Sequence, residues 1–346
     1  MNFKKISFVL IPFVIAGCSQ KPETPSTMKH HKTPRYAVLF PMALPFCFMI
    51  HAQKGIVGYP GMNRKSVPFF AGNLILKEEP DFINKTTDIG NPHVTNLEVI
   101  KALNPSLVIT APFGIYNEKL QHMGIKTISF CGQFCTTNRL LKDVDTIGKA
   151  LNHEKEANTL EEFYTKEIDY VKEHLKDVKS RPRVLYLTQE GPSGNALTAG
   201  GGFAKLDSEL ISLAGGIDVA SNVKGMFGQI SKEDIIKWNP QYIFIGAGGN
   251  AKEIYNDKDL KNVSAVKNKR VYVVPSFCSG EKSVYSNFYS SEQFPLGLLW
   301  TAYMLHPKHF KDFSNYFDKE QKYYLNTFWN INSMKICNLN LKGDKS

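Results

Sequence analysis

The sequence predicts an α/β protein in which one long helix joins two Rossmann-like βαβ lobes. Three observations support this fold class. Short apolar strands alternate with helical segments in both halves of the chain, a pattern typical of parallel βαβ units. An uninterrupted amphipathic helix separates the two halves. One segment of the first half also recurs in the second half, which favours two equivalent lobes.

Composition restricts the class of protein further. The chain has 346 residues, of which 42% are hydrophobic and 21% are charged. This balance can build a buried core and excludes an intrinsically disordered chain. No apolar run approaches the roughly 18 residues that a spanning helix needs, which excludes a multi-span membrane protein. The net charge of +10 is spread without a block of basic residues, so we predict no nucleic-acid partner.

The first residues indicate export from the cytoplasm. Lys4 and Lys5 form a basic start, and residues 6–16 form an apolar stretch that is too short to span a bilayer. This combination, followed by small residues, is typical of a secretory signal peptide. We therefore predict that residues 1–17 are removed, which would lower the net charge from +10 to +8 because both lysines are lost.

The end of this segment indicates a lipid anchor. Ala16 and Gly17 directly precede Cys18, and this motif resembles the lipobox of bacterial lipoproteins. The resemblance implies acylation of Cys18, and several acyl chains would hold the protein stably at a membrane. Residues 18–35 are rich in proline and lack a periodic apolar pattern, so we predict a flexible lipidated tether. An ordinary signal peptide with an incidental cysteine is the alternative.

The N-terminal lobe is predicted to span residues 36–152. Its apolar runs have the length of buried strands, and helical stretches lie between them. The predicted strands are residues 36–40, 55–58, 106–110 and 126–130. Because strands that alternate with helices pair in parallel, we expect a parallel sheet in this lobe.

A single connecting helix is predicted over residues 153–180. Its apolar residues recur mostly three positions apart on one face, charges cover the other face, and neither glycine nor proline interrupts the run. About 25 residues that rise 1.5 Å each give a rod of roughly 38 Å. A rod of this length can bridge two lobes.

The alternation of strands and helices restarts in the C-terminal lobe, which is predicted to span residues 181–332. The predicted strands are residues 183–188, 242–245 and 270–274. The predicted helices lie near residues 203–214, 231–238 and 290–305. Residues 333–346 are predicted to form a tail.

The internal repeat defines one helix–strand unit in each lobe. Residues 96–110 match residues 231–245 at a constant offset of 135 positions, the difference between 96 and 231. Asn96 and Ser231 are favourable N-cap residues. An Asn-Pro pair ends each predicted helix, and an apolar strand follows. The repeat therefore predicts the same local structure twice.

Five cysteines remain once Cys18 is assigned to the anchor: Cys47, Cys131, Cys135, Cys278 and Cys337. Disulfides are permitted outside the cytoplasm. Because five is an odd number, at least one thiol lacks a partner within the chain. The spacing does not fix the pairing, and we expect structural thiols or one disulfide, with metal ligation as a minor alternative.

Several segments together resemble one protein family. They are the lipidated tether, residues 96–110 with their repeat, the central helix and residues 295–310. Over residues 36–330 the chain is similar to the periplasmic solute-binding proteins of ABC importers for iron–siderophores, haem and cobalamin. The resemblance implies a two-lobed binder with a ligand cleft between the lobes, and its rigid helix would permit only small closure. It also implies an ABC permease and its ATPase as partners.

The same resemblance implies a docking glutamate on each lobe. Glu98 and Glu233 occupy equivalent positions in the two repeats. Each would meet an arginine on one permease subunit. The alternative is a local role, because negative charge in the first turn of a helix is favoured by the helix dipole.

Candidate ligand-binding residues lie in the loops that follow the strands. In open α/β sheets, ligands bind beyond the carboxyl ends of the strands. The predicted ligand-binding residues are Arg64, His93, Phe113, Tyr116, Tyr285 and Tyr289. Arg64 would pair with an anionic chelator. His93 and Tyr285 are the predicted metal ligands, since imidazole suits nickel and a phenolate oxygen suits ferric iron.

We therefore predict a lipid-anchored binding protein of the cell envelope that faces the periplasm or the exterior. It would capture a chelated metal as a monomer and without a cofactor. An iron–siderophore and a nickel or other metal chelate are the two leading ligands, and cobalamin or haem is the alternative. The loops of the second lobe lack a dense arginine cluster, which weighs against a strongly anionic triscatecholate.

An enzyme is disfavoured. Residues 246–251 fit the pattern G-x-G-x-x-A, but the next predicted strand has no acidic residue at its end. The chain contains neither G-x-S-x-G nor H-E-x-x-H, so it shows no apparatus for hydrolysis. A surface lipoprotein enzyme and a structural adhesin are the alternatives from other classes.

Overall fold

Two sheets, one in each half of the chain, organise the fold. The computed structural model describes residues 34–60, 72–90, 94–188, 197–199, 204–225, 228–246, 249–278 and 287–341. All of them belong to one unit of the chain, which runs from Thr33 to Ser346. The α/β class that the sequence predicts is confirmed.

The N-terminal lobe contains a parallel sheet. Its strands, in chain order, are β1 (Tyr36–Val38), β2 (Ile56–Tyr59), β3 (Thr87–Asp88), β4 (Leu107–Thr110) and β5 (Thr127–Ser129). In the described part of the chain the strand order is β3-β2-β1-β4-β5. All four pairs of neighbouring strands are parallel. Their carboxyl ends consequently share one edge of the sheet.

Six helices of this lobe lie among the described residues. They are α1 (Leu44–Met49), α2 (Gly72–Glu78), α3 (Phe82–Lys85), α4 (Leu97–Leu103), α5 (Asn117–His122) and α6 (Thr137–Leu151). Helices α4 and α5 cover one face of the sheet through a small apolar cluster around Ile100 and Leu120. The other face belongs to the large core of the protein, which also includes α6.

The connecting helix α7 spans Glu154–Leu175. It begins close to the predicted start and ends five residues before the predicted end at position 180. It packs closely against α6. A Cβ atom on Gly148 would lie only 2.5 Å from the Cβ atom of Ala157, so glycine permits this approach. At 1.5 Å per residue the helix is about 33 Å long.

The C-terminal lobe contains a mixed sheet. Its strands are β6 (Arg183–Leu187), β7 (Thr198–Ala199), β8 (Ile217–Asp218), β9 (Gly228–Gln229), β10 (Tyr242–Ile245) and β11 (Val271–Val273). The order is β11-β10-β6-β7-β9 in the described residues, and β8 also pairs with β6. The pairs β6–β7 and β7–β9 are antiparallel. The βαβ pattern of the sequence did not predict this short antiparallel edge.

The helices of the second half are α8 (Lys205–Leu213), α9 (Lys232–Trp238), α10 (Ala251–Asn256), α11 (Ser264–Lys267), α12 (Phe294–Leu305) and α13 (Phe313–Trp329). Helix α12 is buried along nearly its whole length between α7, α8 and α13. No helix in the described ranges is both long and apolar enough to cross a membrane.

The predicted repeat is present in both lobes. The bounds of α9 and β10 lie 135 positions after those of α4 and β4. Asn96 and Ser231 both cap their helices through side-chain oxygens, which accept from the backbone N–H three residues later. Asn104 and Asn239 end these helices in the left-handed conformation, with φ of 45° and 42°.

The C-terminal helix differs from the predicted domain division. Residues 181–332 were assigned to the C-terminal lobe, but α13 packs against α1 and α2 of the N-terminal lobe. Trp329 stacks on Phe48 with ring centroids 6.3 Å apart. Asn330 donates a hydrogen bond to Glu78 at 3.0 Å. The chain thus returns to its first lobe, because α1 and α2 leave an apolar face that α13 covers.

The tail is attached to the second lobe. Strand β13 (Ile336–Cys337) pairs with β12 (Ser276–Phe277) in an antiparallel arrangement. A disulfide between Cys278 and Cys337 links the same two segments. A second disulfide joins Cys131 to Cys135, and Cys47 is a buried free thiol. The structure therefore has two disulfides where the sequence led us to expect at most one.

Candidate functional site

A cavity of about 410 Å³ lies beyond the carboxyl ends of β4 and β5. Its described lining consists of Pro112, Phe113, Cys131, Phe134, Cys135, Arg139 and Lys205. All of these residues belong to the N-terminal lobe except Lys205, which begins α8 in the C-terminal lobe. The cavity therefore opens between the two lobes, where the family resemblance implies the ligand cleft.

Two aromatic rings, Phe113 and Phe134, line the cavity, and the ring of Phe40 packs behind them. Phe40 follows β1 and lies 6.2 Å, between ring centroids, from both Phe113 and Phe134. Phe113 and Phe134 are 5.4 Å apart in a T-shaped arrangement. Phe40 is buried, whereas Phe113 is 53% exposed. Exposed aromatic surface of this kind can pack against the organic part of a ligand.

The disulfide holds one of these rings in place. Cys131 and Cys135 enclose a 3₁₀ turn, Gly132–Phe134, that places Phe134 at the cavity. Gly132 has a φ of 55°, and a Cβ atom there would lie 3.0 Å from the sulfur of Met42. Glycine therefore fits both the turn and the close approach at this position.

Arg139 supplies the first positive charge of the cavity. Its Nε donates a hydrogen bond to Asp143 Oδ1 at 2.8 Å, one turn further along α6. The other carboxylate oxygen of Asp143 accepts a hydrogen bond from the backbone N–H of Cys131 at 2.9 Å. Because Asp143 is 5% exposed, this network fixes the guanidinium relative to the disulfide turn.

Lys205 supplies the second positive charge from the opposite wall. It is exposed at the first position of α8, and it lines the same cavity as Arg139. Asp143 balances the charge of Arg139, so Lys205 supplies the net positive charge of the cavity and Arg139 offers its remaining N–H groups as donors. The arrangement suits an anionic ligand that contacts both lobes at once.

The predicted ligand-binding residues have different locations. Phe113 lines the cavity. Tyr116 is half-buried and packs with the apolar cluster of α4 and α5. Tyr289 is 2% exposed, stacks on Tyr186 with ring centroids 4.3 Å apart, and accepts a hydrogen bond from Thr301.

The buried position of Tyr289 does not support contact with a ligand in the cavity. Burial also raises the pKa of its phenol well above the usual range. The phenol is therefore neutral, whereas a metal ligand would be a phenolate. Arg64, His93 and Tyr285 lie outside the described residues, as does the anchor residue Cys18.

Sequence reasoning missed both cavity cations. The loops that follow two of the predicted strands are residues 131–138 and 189–203, so Arg139 and Lys205 lie one and two residues beyond them. Both residues lie at helix starts, and first-turn residues face the same edge of the sheet as the preceding loop. A search that included the first turn of the following helix would have found them.

Metal-binding side chains do not cluster in the described residues. Within those ranges there is no group of three or more His, Cys, Asp or Glu side chains with a geometry that could hold a metal ion. The described lining instead combines aromatic rings, a disulfide and two cations. These groups can recognise the outer surface of an anionic complex.

The two predicted docking residues lie in first turns of equivalent helices. Glu98 is exposed in α4 and Glu233 is exposed in α9. Neither carboxylate forms a hydrogen bond or ion pair with the part of the chain that the structure describes. Both are therefore accessible to a partner, one from each lobe.

Known proteins are similar to this chain in sequence and in fold. Residues 72–277 match the model of a family described as periplasmic binding protein. The chain is 23% identical to the molybdate-binding protein MolA of Haemophilus influenzae over 301 residues, which cover 80% of this chain and 81% of MolA. It is 29% identical to the Fe(3+)-citrate-binding protein YfmC of Bacillus subtilis over 190 residues, or 54% of this chain and 58% of YfmC.

Solved structures show the same fold. The crystal structure of Helicobacter pylori CeuE with Ni(II) bound superposes with a TM-score of 0.66 at 24% sequence identity. The superposition covers 88% of this chain and 93% of CeuE. The family match, the two βαβ lobes and the cavity between them lead to one assignment: the chain belongs to the periplasmic binding protein family, the solute-binding proteins of ABC importers, and not to a family of enzymes.

Proposed function

We propose that the cavity between the lobes binds an anionic metal chelate, which the protein delivers to an ABC permease. The observation that carries this proposal is the pair of cations, Arg139 and Lys205, that line one cavity from opposite lobes. An anion held between them would contact both lobes. Charge-assisted hydrogen bonds of this type are about twice as strong as neutral ones.

The aromatic wall supports a ligand with an organic part. Phe113 and Phe134 offer ring surface beside the two charges, and a bare oxyanion would leave that surface uncovered. Ferric citrate, an anion with an organic part, fits this description by its chemistry. The relatives named for molybdate, Fe(3+)-citrate and nickel support a metal-related ligand in general. An iron–siderophore, haem and cobalamin belong to the same proposal as larger chelates.

Molybdate is the second candidate ligand. The similarity to MolA extends over 80% of this chain, and an oxyanion needs positive charge rather than metal-coordinating side chains. Arg139 and Lys205 satisfy that need without the aromatic rings. Binding of molybdate in preference to both organic chelates would favour this candidate.

The proposal is tested by calorimetric titration of the purified folded body with ferric citrate, Ni(II)–histidine and molybdate. We expect Arg139→Gln and Lys205→Gln each to weaken binding of the preferred probe by roughly 10–150-fold, since a lost charged hydrogen bond costs about 1.5–3 kcal/mol. Lys142→Gln, an exposed lysine of α6 outside the cavity, should bind normally. Unchanged affinity in both cavity variants would move the site elsewhere.

Docking and anchoring complete the proposed function. Periplasmic binding proteins work with a permease and an ATPase, and we infer that Glu98 and Glu233 contact arginines of the two permease subunits. Acylated Cys18 would hold the monomer at the cell envelope through the tether 18–35. Arg64, His93 and Tyr285 are retained as further proposed ligand contacts on the basis of their positions after strands.

A further inference from the structure

A hydrogen-bonded contact joins the two lobes beside the cavity. Glu209 lies in α8, one turn after Lys205. Its Oε2 accepts hydrogen bonds from the backbone N–H and from Oγ1 of Thr137, at 2.5 and 2.8 Å. Thr137 is the first residue of α6 and is 2% exposed. A half-buried carboxylate of one lobe thus bonds a buried residue of the other.

This contact completes the N-terminus of α6. Within the described residues, the side chain of Thr136, the N-cap residue, forms no capping hydrogen bond. The first N–H groups of a helix have no partner inside the helix, and the helix dipole favours a negative charge there. Glu209 supplies from the C-terminal lobe the acceptor that a local N-cap residue usually supplies.

Helix α8 also contacts the N-terminal lobe at a second point. It packs against the turn Gly132–Phe134, which places Phe134 at the cavity. Both contacts lie at the cavity rim, and both depend on the position of α8. The spacing of the lobes at this rim is therefore set where α8 meets α6 and the disulfide turn.

We propose that Glu209 is a positioning residue whose contact with Thr137 holds the two cavity cations at the spacing that the ligand requires. Arg139 follows Thr137 by two positions on α6, and Lys205 precedes Glu209 by four positions on α8. Fixing one helix start against the other therefore fixes the distance between the cations. Glu209 is absent from the described lining of the cavity, so it acts without touching the ligand. This inference rests on the proposed function, since it requires both cations to bind the same anion.

The loss of affinity depends on the fraction of molecules in which the two cations have the spacing that the ligand requires. The apparent dissociation constant equals the intrinsic constant divided by the fraction of molecules that hold that spacing. Without the contact, the lobes would sample other spacings at this rim, within the limits that α7 and α13 impose. We expect Glu209→Ala to weaken binding of ferric citrate about tenfold, which corresponds to about one tenth of the molecules in the competent spacing.

The test measures lobe spacing and affinity in the same proteins. Spin labels are placed at Glu118→Cys in α5 and Lys252→Cys in α10, two exposed positions of different lobes. Pulsed electron paramagnetic resonance without ligand should give a narrow distance distribution in the parent and a broader one in Glu209→Ala. Glu173→Ala, which removes an exposed carboxylate paired with Lys176, should leave the distribution and the affinity unchanged.

Two further variants keep the test decisive if Glu209→Ala folds poorly. Glu209→Gln retains an acceptor without the charge and should broaden the distribution less. Thr137→Val removes the hydroxyl and keeps the backbone N–H, so it should broaden the distance distribution less than Glu209→Ala does. In the double variant Thr137→Val with Glu209→Ala, the distribution should be little broader than in Glu209→Ala alone. Unchanged distances in all three variants would overturn the proposal.

Affinity that falls while the distances stay unchanged would also overturn the proposal, because it would place Glu209 in contact with the ligand. A parent protein that binds none of the probes would contradict the proposed function, and this result is distinct from the test of Glu209. The distance measurement without ligand decides the role of the contact in that case as well.

Discussion

Glu167 shows how packing changes the properties of a single residue. Glu167 lies in α7 and is fully buried against α13, where Tyr316 donates a hydrogen bond to its Oε2 at 2.9 Å. Lys166 lies 3.0 Å from its Oε1 and also pairs with the buried Glu320. Burial raises the pKa of Glu167 from 4.5 to about 7, the hydrogen bond and charge of Lys166 oppose that shift, and Glu320 adds to it.

This pKa predicts the direction in which stability changes with pH. Between pH 4.5 and about 7 the unfolded chain has released the Glu167 proton while the folded chain still holds it. Stability therefore falls as pH rises through this window and is constant with respect to this group above it. We expect Glu167→Gln to flatten the fall, as measured by urea unfolding at several values between pH 4.5 and 8.

Glu78 should also contribute to the fall of stability with pH, and the exposed Glu173 is the control. Burial also raises the pKa of Glu78 to about 7, so part of the slope should persist in Glu167→Gln and become smaller when Glu78→Gln is added. Asp207, whose pKa is also raised by burial, keeps a share of the slope. Glu173 is exposed, and its hydrogen bond with Lys176 lowers its pKa. Glu173→Gln should leave the fall between pH 4.5 and 7 in place, and a slope as steep in Glu167→Gln as in the parent would contradict the assignment.

At the residue scale, the sequence identified part of the cavity. Phe113 was predicted because it follows a strand, and it lines the cavity. Tyr289 satisfied the same rule but is buried, since α12 packs over the segment that contains it. A position after a strand brings a residue to the right edge of the sheet, whereas the packing of neighbouring helices decides whether its side chain reaches the cleft.

At the element scale, local sequence determined the repeated units with little ambiguity. Helices α4 and α9 each begin at a capping side chain and end at an asparagine with positive φ before proline. These features depend on residues within a few positions of each other. The same structure therefore forms twice, although the two helices cover sheets of different strand order.

Helix α12 depends on glycine at one position. A methyl group on Gly297 would overlap the carbonyl oxygen of Phe288 and would lie 3.2 Å from Leu210. We expect Gly297→Ala to lower the free energy of unfolding by about 3 kcal/mol or more, because the backbone of Phe288 must move. Urea unfolding followed by circular dichroism measures this loss.

Gly124→Ala is the matched control for this substitution. Its added Cβ atom would have no heavy atom of the described residues within 4 Å, so only its φ of +77° causes strain. That strain costs about 1–2 kcal/mol. An equal or smaller loss in Gly297→Ala would show that Phe288 can move away from α12 at little cost.

At the scale of the whole molecule, docking should depend on both lobes together. We expect Glu98→Lys combined with Glu233→Lys to abolish ligand uptake by cells, since two repelled contacts remove a bivalent interaction. Ligand affinity should stay near that of the parent. The free energy of unfolding should fall by no more than about 2 kcal/mol, the loss of two favourable interactions with helix dipoles.

A second pair of acids controls for charge reversal. Glu118 and Glu253 also lie in first turns of exposed helices, one in each lobe. Glu118→Lys with Glu253→Lys should leave uptake intact. Normal uptake by the folded Glu98 and Glu233 variant would exclude the docking role, and loss of ligand binding would instead place these residues in the cleft.

The predicted anchor is independent of the folded body. Cys18→Ala should leave ligand binding unchanged and should move the protein from the membrane fraction to the soluble fraction of the envelope, because acyl chains supply most of the membrane affinity. Cell fractionation with a carbonate wash measures the distribution. Cys47→Ala changes a buried thiol of the body and is the control. Retention of the Cys18 variant in washed membranes would contradict lipidation.

Features that depend on neighbouring residues could be predicted from the amino-acid sequence. They include the α/β class, the long helix α7, the two capped helix–strand repeats and the family resemblance. The seven predicted strands were located to within two residues, since buried strands are short apolar runs bounded by turn residues. The two-residue strands β3, β7, β8 and β9 were not predicted, because runs of that length carry no periodic signal. The two lobes follow from the repeat for the same reason.

Contacts between distant segments became visible only in the folded protein. It paired Cys278 with Cys337, returned α13 to the N-terminal lobe, and placed Arg139 and Lys205 on opposite walls of one cavity. Each of these contacts joins residues far apart in the chain, and sequence periodicity carries no information about such distances. The choice among partners depends on which apolar faces remain uncovered once the lobes have packed, and that is a property of the whole folded chain.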